Sequence, residues 1–307
     1  MSQCTWCQSG EFEHVLNRRD RLGTQVFHYV RCRSCGLVRL EPRLDLAAKD
    51  QHYPPGYAAY REQRPGWPFS WGERWYWSRR VRRVYPLVKL DAGDVLDVGC
   101  GTGGFLAEMR RRGWRVSGIE PNHAAAARAG RRLGPGTVQA AHLEEVDFPP
   151  ASFDLVTLWD VLDHVQDPPA ALRKIKGWLR PGGLLVVGIP HLHSWDARFF
   201  GPAWLGWDAP RHLYVFAEDT LRAVLEASGY QLVASGCFYG SAGSLVTSLD
   251  YVLQERLDAS PLGRFLRRAI GWRVWRYLLW PYFRLAEWAG RGPIKSYFCR
   301  PVYAKPG

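Results

Sequence analysis

The sequence predicts an α/β fold: a mostly parallel sheet wrapped by helices, with a small cysteine-bearing module before it and a helical extension after it. Three observations carry this reading. Two C-x-x-C pairs, Cys4/Cys7 and Cys32/Cys35, stand near the N-terminus. A short apolar run, Val95 to Val98, feeds a glycine-rich turn and then a helix-forming stretch from Phe105. From Leu245 to about Gly290, apolar side chains and arginines alternate with helical spacing. The expected boundaries are 1–40 for the cysteine module, 41–86 for an aromatic-rich linker or lid, 87–240 for the sheet domain and 241–307 for the extension.

The chain has 307 residues, room for one large domain with appendages. At 47% hydrophobic residues it is a packing sequence, which excludes a disordered chain. The net charge of +12 attracts polyanions such as nucleic acid, anionic lipid or phosphorylated substrates without choosing among them. The arginines are spread along the chain, so much of the excess reads as solvated surface. The N-terminal MSQCTWC has no basic stretch followed by an apolar run, and no window approaches the ~20 apolar residues of a membrane-spanning helix. The expectation is a cytoplasmic protein, with the inner membrane face as an alternative. The seven cysteines then read as metal ligands or buried thiols.

Cysteines two apart aim both sulfurs at one point, and Gly36 directly after Cys35 lets the turn close. Gln25 to Val30 suits a strand of a hairpin between the two knuckles. The spacing predicts a zinc ribbon in which Cys4, Cys7, Cys32 and Cys35 close a four-sulfur, structural Zn²⁺ site. The competing readings are free cysteines, or a redox pair, although no βαβ pattern surrounds either.

Between Glu41 and Pro86 periodicity is poor, and Pro54-Pro55-Gly56 and Pro65-Gly66 punctuate the segment. Tyr53, Tyr57, Tyr60, Trp67, Trp71, Trp75, Tyr76 and Trp77 make it dense in aromatics. Such a linker covers an apolar surface, either as simple packing or as a lid over an active site.

Asp97-Val98-Gly99-Cys100-Gly101-Thr102-Gly103 joins the first strand of the sheet to a helix. A strand, a glycine turn and a helix N-terminus make a nucleotide-binding crossover, because the backbone can approach a ligand and the helix offers free N–H groups. The next strand, about Arg115 to Ile119, ends in Glu120, an acid placed to accept hydrogen bonds from ribose hydroxyls. Further on come a strand at Phe153–Asp160, the stretch Val161-Leu162-Asp163-His164-Val165, a helix after Asp167-Pro168, and the turn Leu179-Arg180-Pro181-Gly182-Gly183 before another strand.

This series resembles the class I S-adenosylmethionine (SAM)-dependent methyltransferases, with their D-V-G-C-G-T-G loop, F-D-x-V segment, V-L-E-H-like stretch and L-x-P-G-G turn. The likeness covers roughly Asp94 to Leu232. It implies a Rossmann-like sheet and SAM as cofactor. Asp97, Gly99, Cys100, Gly101 and Gly103 should surround the methionine portion, with Cys100 a small filler. Glu120 should hold the ribose, and Trp159 is assigned to the same pocket. Where many relatives carry an acid toward the adenine, this chain has His142; either His142 takes that role, or Leu143 packs on the base.

Methyl transfer from a sulfonium is an in-line displacement, and a hydroxyl or carbon-acid acceptor also needs a base. Asp160, Asp163 and His164 follow the strand at the sheet's ligand-binding edge. They stand where the similar ubiquinone-pathway O-methyltransferases carry E-x-x-E-H, positions associated with a divalent metal. The set could hold Mg²⁺ at the active site, His164 could act directly as base, or Asp163 and His164 could cap the helix. His191, His193 and His212 come after the next strand, in what looks like an insertion. There Trp204, Trp207, Arg211 and His212 read as acceptor contacts, and His191 and His193 as surface loop.

In the tail, Arg264, Arg267, Arg268, Arg273, Arg276 and Arg284 alternate with tryptophans and other apolar residues. That is the composition of an interfacial membrane helix, or of a helical cap with solvated arginines. The expected function is methyl transfer to a small-molecule acceptor, O- or C-directed: a quinone-like, sugar or lipid-linked intermediate. The alternatives are an RNA base methyltransferase, for which no RNA-module signature is present, and a non-catalytic SAM-binding scaffold.

Overall fold

The structure is a computed structural model that describes residues 3–20, 25–53, 69–257, 260–270 and 278–303. Near the N-terminus, β1 (Phe12–Arg19), β2 (Val26–Cys32) and β3 (Val38–Glu41) form an antiparallel meander. Alternate residues of β2, Phe27 and Tyr29 among them, are fully buried, so the strand covers a core on one side. The fourth strand of this sheet comes from far along the chain: Val38 pairs with Val215. The short α1 (Leu46–Asp50) begins at Asp45, whose carboxylate caps the Ala48 N–H.

A helix follows where poor periodicity was expected. α2 spans Phe69–Val88. Its buried Val81, Val84 and Val88 stand three and four apart, a helical stripe that the surrounding arginines and aromatics disguise. Tyr57, Tyr60 and Trp67 of the expected lid lie outside the described residues.

The sheet domain then runs β4 (Asp94–Val98), α3 (Gly104–Arg110), β5 (Arg115–Ile119), α4 (His123–Leu133), β6 (Val138–Gln139), β7 (Phe153–Trp159), α5 (Pro168–Trp178) and β8 (Leu179–Pro190). The helix starts are written in the sequence: Asn122 caps the Ala125 N–H, and Asp167, followed by proline, caps that of Ala170. The expected turn at Pro181-Gly182-Gly183 sits inside β8. Phe153 pairs with Leu179 and Leu155 with Leu184, so the turn bulges out between two paired residues, with Gly182 at φ +80°.

Next come α6 (Trp195–Phe200), β9 (Tyr214–Val215), α7 (Glu218–Ala227), β10 (Tyr230–Gly236), α8 (Ser241–Leu257), α9 (Pro261–Ile270), α10 (Trp280–Trp288) and β11 (Ile294–Pro301). The tail is therefore helical only in part. β11 is a strand of the main sheet, and its Ser296 to Cys299 are buried. The seven-stranded order is β10-β11-β8-β7-β4-β5-β6, and the pairings β4–β5, β4–β7, β5–β6 and β7–β8 are parallel. Chain direction across the sheet reverses at β4, the topological switch point where such sheets bind ligands.

The chain divides into two units. One comprises Tyr53–Gly188, Arg222–Ser235 and Ser296–Gly307, and contains the seven-stranded sheet. The other comprises Met1–His52, Ile189–Leu221 and Gly236–Lys295, with the meander and helices α6, α8, α9 and α10. No helix among the described residues is long and apolar enough to cross a membrane.

Candidate active site

The glycine loop leaves β4 in the left-handed region: Gly99, Gly101 and Gly103 have φ of +69°, +55° and +75°. The space is as restrictive as the conformation, since a Cβ at Gly99 would lie 2.5 Å from Val161 Cγ2. The Gly99 and Cys100 N–H groups both donate to the Ile119 carbonyl, at 2.8 and 3.0 Å. Glu120 continues the link. Its buried carboxylate accepts the N–H of Gly101 on one oxygen and that of Asn122 on the other, each at 2.9 Å. The loop, the tip of β5 and the start of α4 are thus tied through one side chain. Cys100 is buried with its Sγ against Gly118, a packing role, and burial pushes its thiol up.

Asp97, one residue from the end of β4, accepts the Thr157 hydroxyl at 2.6 Å. Burial pushes its carboxyl up to about 7, against the pull of that hydrogen bond and of Arg80; the charge of Glu120 adds to the push.

Arg80 of α2 was not singled out from the sequence, and Trp77 was named only among the aromatics of the expected linker or lid. Arg80 is buried, its guanidinium 4.6 Å from the centroid of the Trp77 ring, 4.8 Å from that of Tyr76 and 5.1 Å from that of Trp159. It also lies 3.7 Å from Asp160 Oδ2. Trp77 covers the start of α3 so closely that a Cβ at Gly104 would fall 2.2 Å from its Nε1. That indole nitrogen is buried and meets no acceptor among the described residues. The available signal was position: Trp77 and Arg80 flank the valine stripe of a helix that the aromatics concealed.

Trp159 ends β7 and packs edge-on against Phe105 at 5.5 Å. Asp160 follows with φ +58°, an uncommon conformation for a non-glycine residue. Asp163 is buried, with Oδ2 3.8 Å from His164 Nε2, and His164 Nδ1 is hydrogen-bonded to Tyr53 Oη at 2.9 Å. Among the described residues, Asp160, Asp163 and His164 do not close on one point as a metal-ligand set, so the geometry lends no support to Mg²⁺ held by these three.

His142 sits at the head of a 3₁₀ turn, its N–H donating to Glu145 Oε2 at 2.9 Å, while Leu143 beside it is buried. His212 belongs to the other unit, where its Nδ1 is 3.1 Å from the Gly206 carbonyl. In that unit Arg211 is buried and bidentate on Asp208, and it also donates to the His52 carbonyl at 2.8 Å. Trp204 and Trp207 are buried, their ring centroids 6.1 Å apart. His191 is not surface loop: it is 5% exposed, bonded to the Gly292 carbonyl, and burial pushes it down to about 4. His193 is exposed.

Cys4 and Cys35 lie 3.6 Å apart and Cys7 and Cys32 3.5 Å apart, sulfur to sulfur, and all four sulfurs fall within 4.8 Å of one another. A tetrahedral zinc with Zn–S bonds of about 2.3 Å separates its sulfurs by about 3.8 Å. The donor set and spacing fit that ion.

The description of a methyltransferase domain matches residues 70–235, a span that takes in α2. A protein of Mycolicibacterium smegmatis named "Probable S-adenosylmethionine-dependent methyltransferase" is 31% identical over 172 residues, 54% of this chain and 64% of its own length. A ubiquinone biosynthesis O-methyltransferase of Xanthomonas euvesicatoria is 38% identical over 126 residues, 35% of this chain and 47% of its own. The chain thus spans less than two thirds of these curated relatives. A solved structure of Haemonchus contortus phosphoethanolamine N-methyltransferase 2, in complex with S-adenosyl-L-methionine, aligns with a TM-score of 0.50 at 17% identity. The alignment covers 74% of this chain and 53% of that one, a likeness of fold alone.

Proposed function

The chain belongs to the methyltransferase-domain family, and from that premise we propose that it transfers the methyl group of SAM to a small-molecule acceptor. The observation that carries the reading is Glu120, an acid at the tip of β5 hydrogen-bonded to the glycine loop itself. Two features fit the cofactor. The glycines at 99, 101 and 103 adopt positive φ and alternate with Cys100 and Thr102, so three of the loop's five residues carry no side chain. Trp77 Nε1 is a buried donor beside the start of α3.

When bound, SAM supplies a methyl group on a positively charged sulfur with an excellent leaving group. The chain's part is positioning. The glycine loop would admit the methionine portion of SAM, Glu120 would accept from its ribose hydroxyls, and Arg80 with the Trp77 N–H would receive its carboxylate. Asp97, when ionised, faces the cofactor's cationic groups. His142 and Leu143 border the adenine.

The base is His164. With Nδ1–H donating to Tyr53 Oη, Nε2 is the basic nitrogen that takes the acceptor's proton, and the Asp163 carboxylate 3.8 Å from it stabilises the imidazolium that forms. A base suits an acidic acceptor group, a hydroxyl or an activated carbon, on a quinone-like, sugar or lipid-linked compound. Cys4, Cys7, Cys32 and Cys35 hold one structural Zn²⁺, which fixes the ends of the meander and takes no part in the transfer.

The test is incubation of the purified protein with methyl-labelled SAM and fractionated cell lysate. Label in small organic or aqueous compounds supports the reading. Label in RNA overturns the choice of acceptor, and tight SAM binding with no label in any fraction turns the chain into a SAM-binding scaffold.

A further inference from the structure

The unit that carries α6, α9 and α10 turns apolar side chains outward. On α10 the exposed positions are Trp280, Pro281, Arg284, Leu285 and Trp288, one side of the helix that is apolar except for a single arginine. Leu285 is 53% exposed and Trp288 84%. On α9, Leu262 and Phe265 are 58% and 63% exposed, three apart on one face. Phe199 of α6 is 81% exposed. α6 and α10 lie side by side: Trp195 packs on Tyr282 at 5.9 Å, and Tyr282 donates to Asp196 at 2.9 Å.

Among the described residues, the exposed charged side chains of α6, α9 and α10 and of the segment just after α10 are Arg198, Arg264, Arg284 and Arg291, all cationic, and Asp196 is buried. Glu287 is buried, taking the Ser241 hydroxyl and Arg284. A cavity of about 700 Å³ in the same unit repeats the combination, with Trp195, Trp207 and Pro202 as walls, Arg198 and Arg291 as cations, and no acid in its lining. An apolar face without arginines would suit a second protein or another copy of this chain. Exposed tryptophan, phenylalanine and leucine within a field of arginines suit a surface that is apolar below and anionic above.

We propose that this unit docks on an anionic phospholipid bilayer, with Phe199, Leu285 and Trp288 entering the acyl boundary and the arginines meeting lipid phosphates. No helix among the described residues is long and apolar enough to span, and the proposed attachment is peripheral and reversible. The inference is independent of the proposed methyl transfer.

The experiment is co-sedimentation of the full chain with phosphatidylcholine vesicles, with and without phosphatidylglycerol, at low and high salt. The wild type should bind the phosphatidylglycerol vesicles at low salt and release them at high salt. The double variant Leu285→Glu/Trp288→Glu should bind at least about tenfold more weakly, because both side chains would otherwise leave water for the acyl boundary. Val233→Glu places one such charge at an exposed apolar position of the other unit and should bind like the wild type. Unchanged SAM affinity and circular dichroism show that the variants are folded. Failure of the wild type to bind anionic vesicles at low salt overturns the proposal, as does an equal loss in Val233→Glu. A wild-type dimer that Leu285→Glu/Trp288→Glu splits, without vesicle binding, also overturns it and assigns the face to self-association.

Discussion

The Thr157 hydroxyl donates to Asp97 Oδ1 at 2.6 Å, joining two register partners of the neighbouring parallel strands β7 and β4. This bond favours an ionised Asp97 in a place where burial opposes it, and burial wins.

Folded Asp97 keeps its proton up to about pH 7, whereas in the unfolded chain it ionises near 3.8. Its contribution to stability is therefore full below the unfolded value and is lost as pH rises through about 7. Asp97→Asn, which cannot ionise, should remove this decline, with a difference of at most roughly 4 kcal/mol. Urea unfolding of both proteins between about pH 5 and pH 8 measures it; parallel curves would contradict the assignment.

Glu120→Ala strands the N–H groups of Gly101 and Asn122. The expected cost is about 1–3 kcal/mol for the unsatisfied donors, with SAM affinity lower by at least about tenfold. Glu120→Gln keeps one acceptor oxygen and should recover stability more than affinity. Thermal melts and calorimetric SAM titration separate the two effects.

Gly99→Ala should unfold more readily by roughly 1–3 kcal/mol, since alanine is strained at φ +69° and its methyl would meet Val161. Adding Val161→Ala relieves the clash but not the strain, so stability in a denaturant titration should return only in part.

His164→Ala should lower kcat by roughly 10²- to 10⁴-fold, as loss of a general base does, with SAM affinity unchanged. Tyr53→Phe, which removes the partner of Nδ1, should lower kcat less and displace the pH profile. The assay uses whichever acceptor the labelling experiment identifies, and an unaltered rate in His164→Ala would remove this residue from the mechanism.

Protein purified without chelator should contain one zinc per chain by elemental analysis, against near zero in Cys4→Ser/Cys32→Ser. Zinc removal should lower the melting transition and leave SAM affinity intact, because all four cysteines lie outside the unit that carries the glycine loop.

Much of the site was legible because its signals are local. Positive φ demands glycine at 99, 101 and 103, and an acid one residue past a strand can be counted off the chain. The family-like F-D and L-R-P-G-G segments were equally plain, although they stand at the opposite ends of their strands. There Asp154 accepts the Asp94 N–H at 2.8 Å and Arg180 at 2.6 Å, a structural clasp far from the glycine loop. Arg80 was not legible. An arginine among many has no local mark, and only its burial among the rings of Tyr76, Trp77 and Trp159 sets it apart.

By itself the sequence determined the cysteine pairs, the strand–glycine–helix crossover and its acid, and the helix start after Asp167, since each depends on residues within a turn or two of chain. Only the tertiary structure decided that Ile294–Pro301 is a strand between β10 and β8, that Tyr214–Val215 completes the N-terminal sheet, and that α9 and α10 leave apolar residues in water. The physical reason is that periodicity reveals which face of an element is apolar. Whether that face is covered depends on partners hundreds of residues away, and pairing at that distance leaves no pattern in the local sequence.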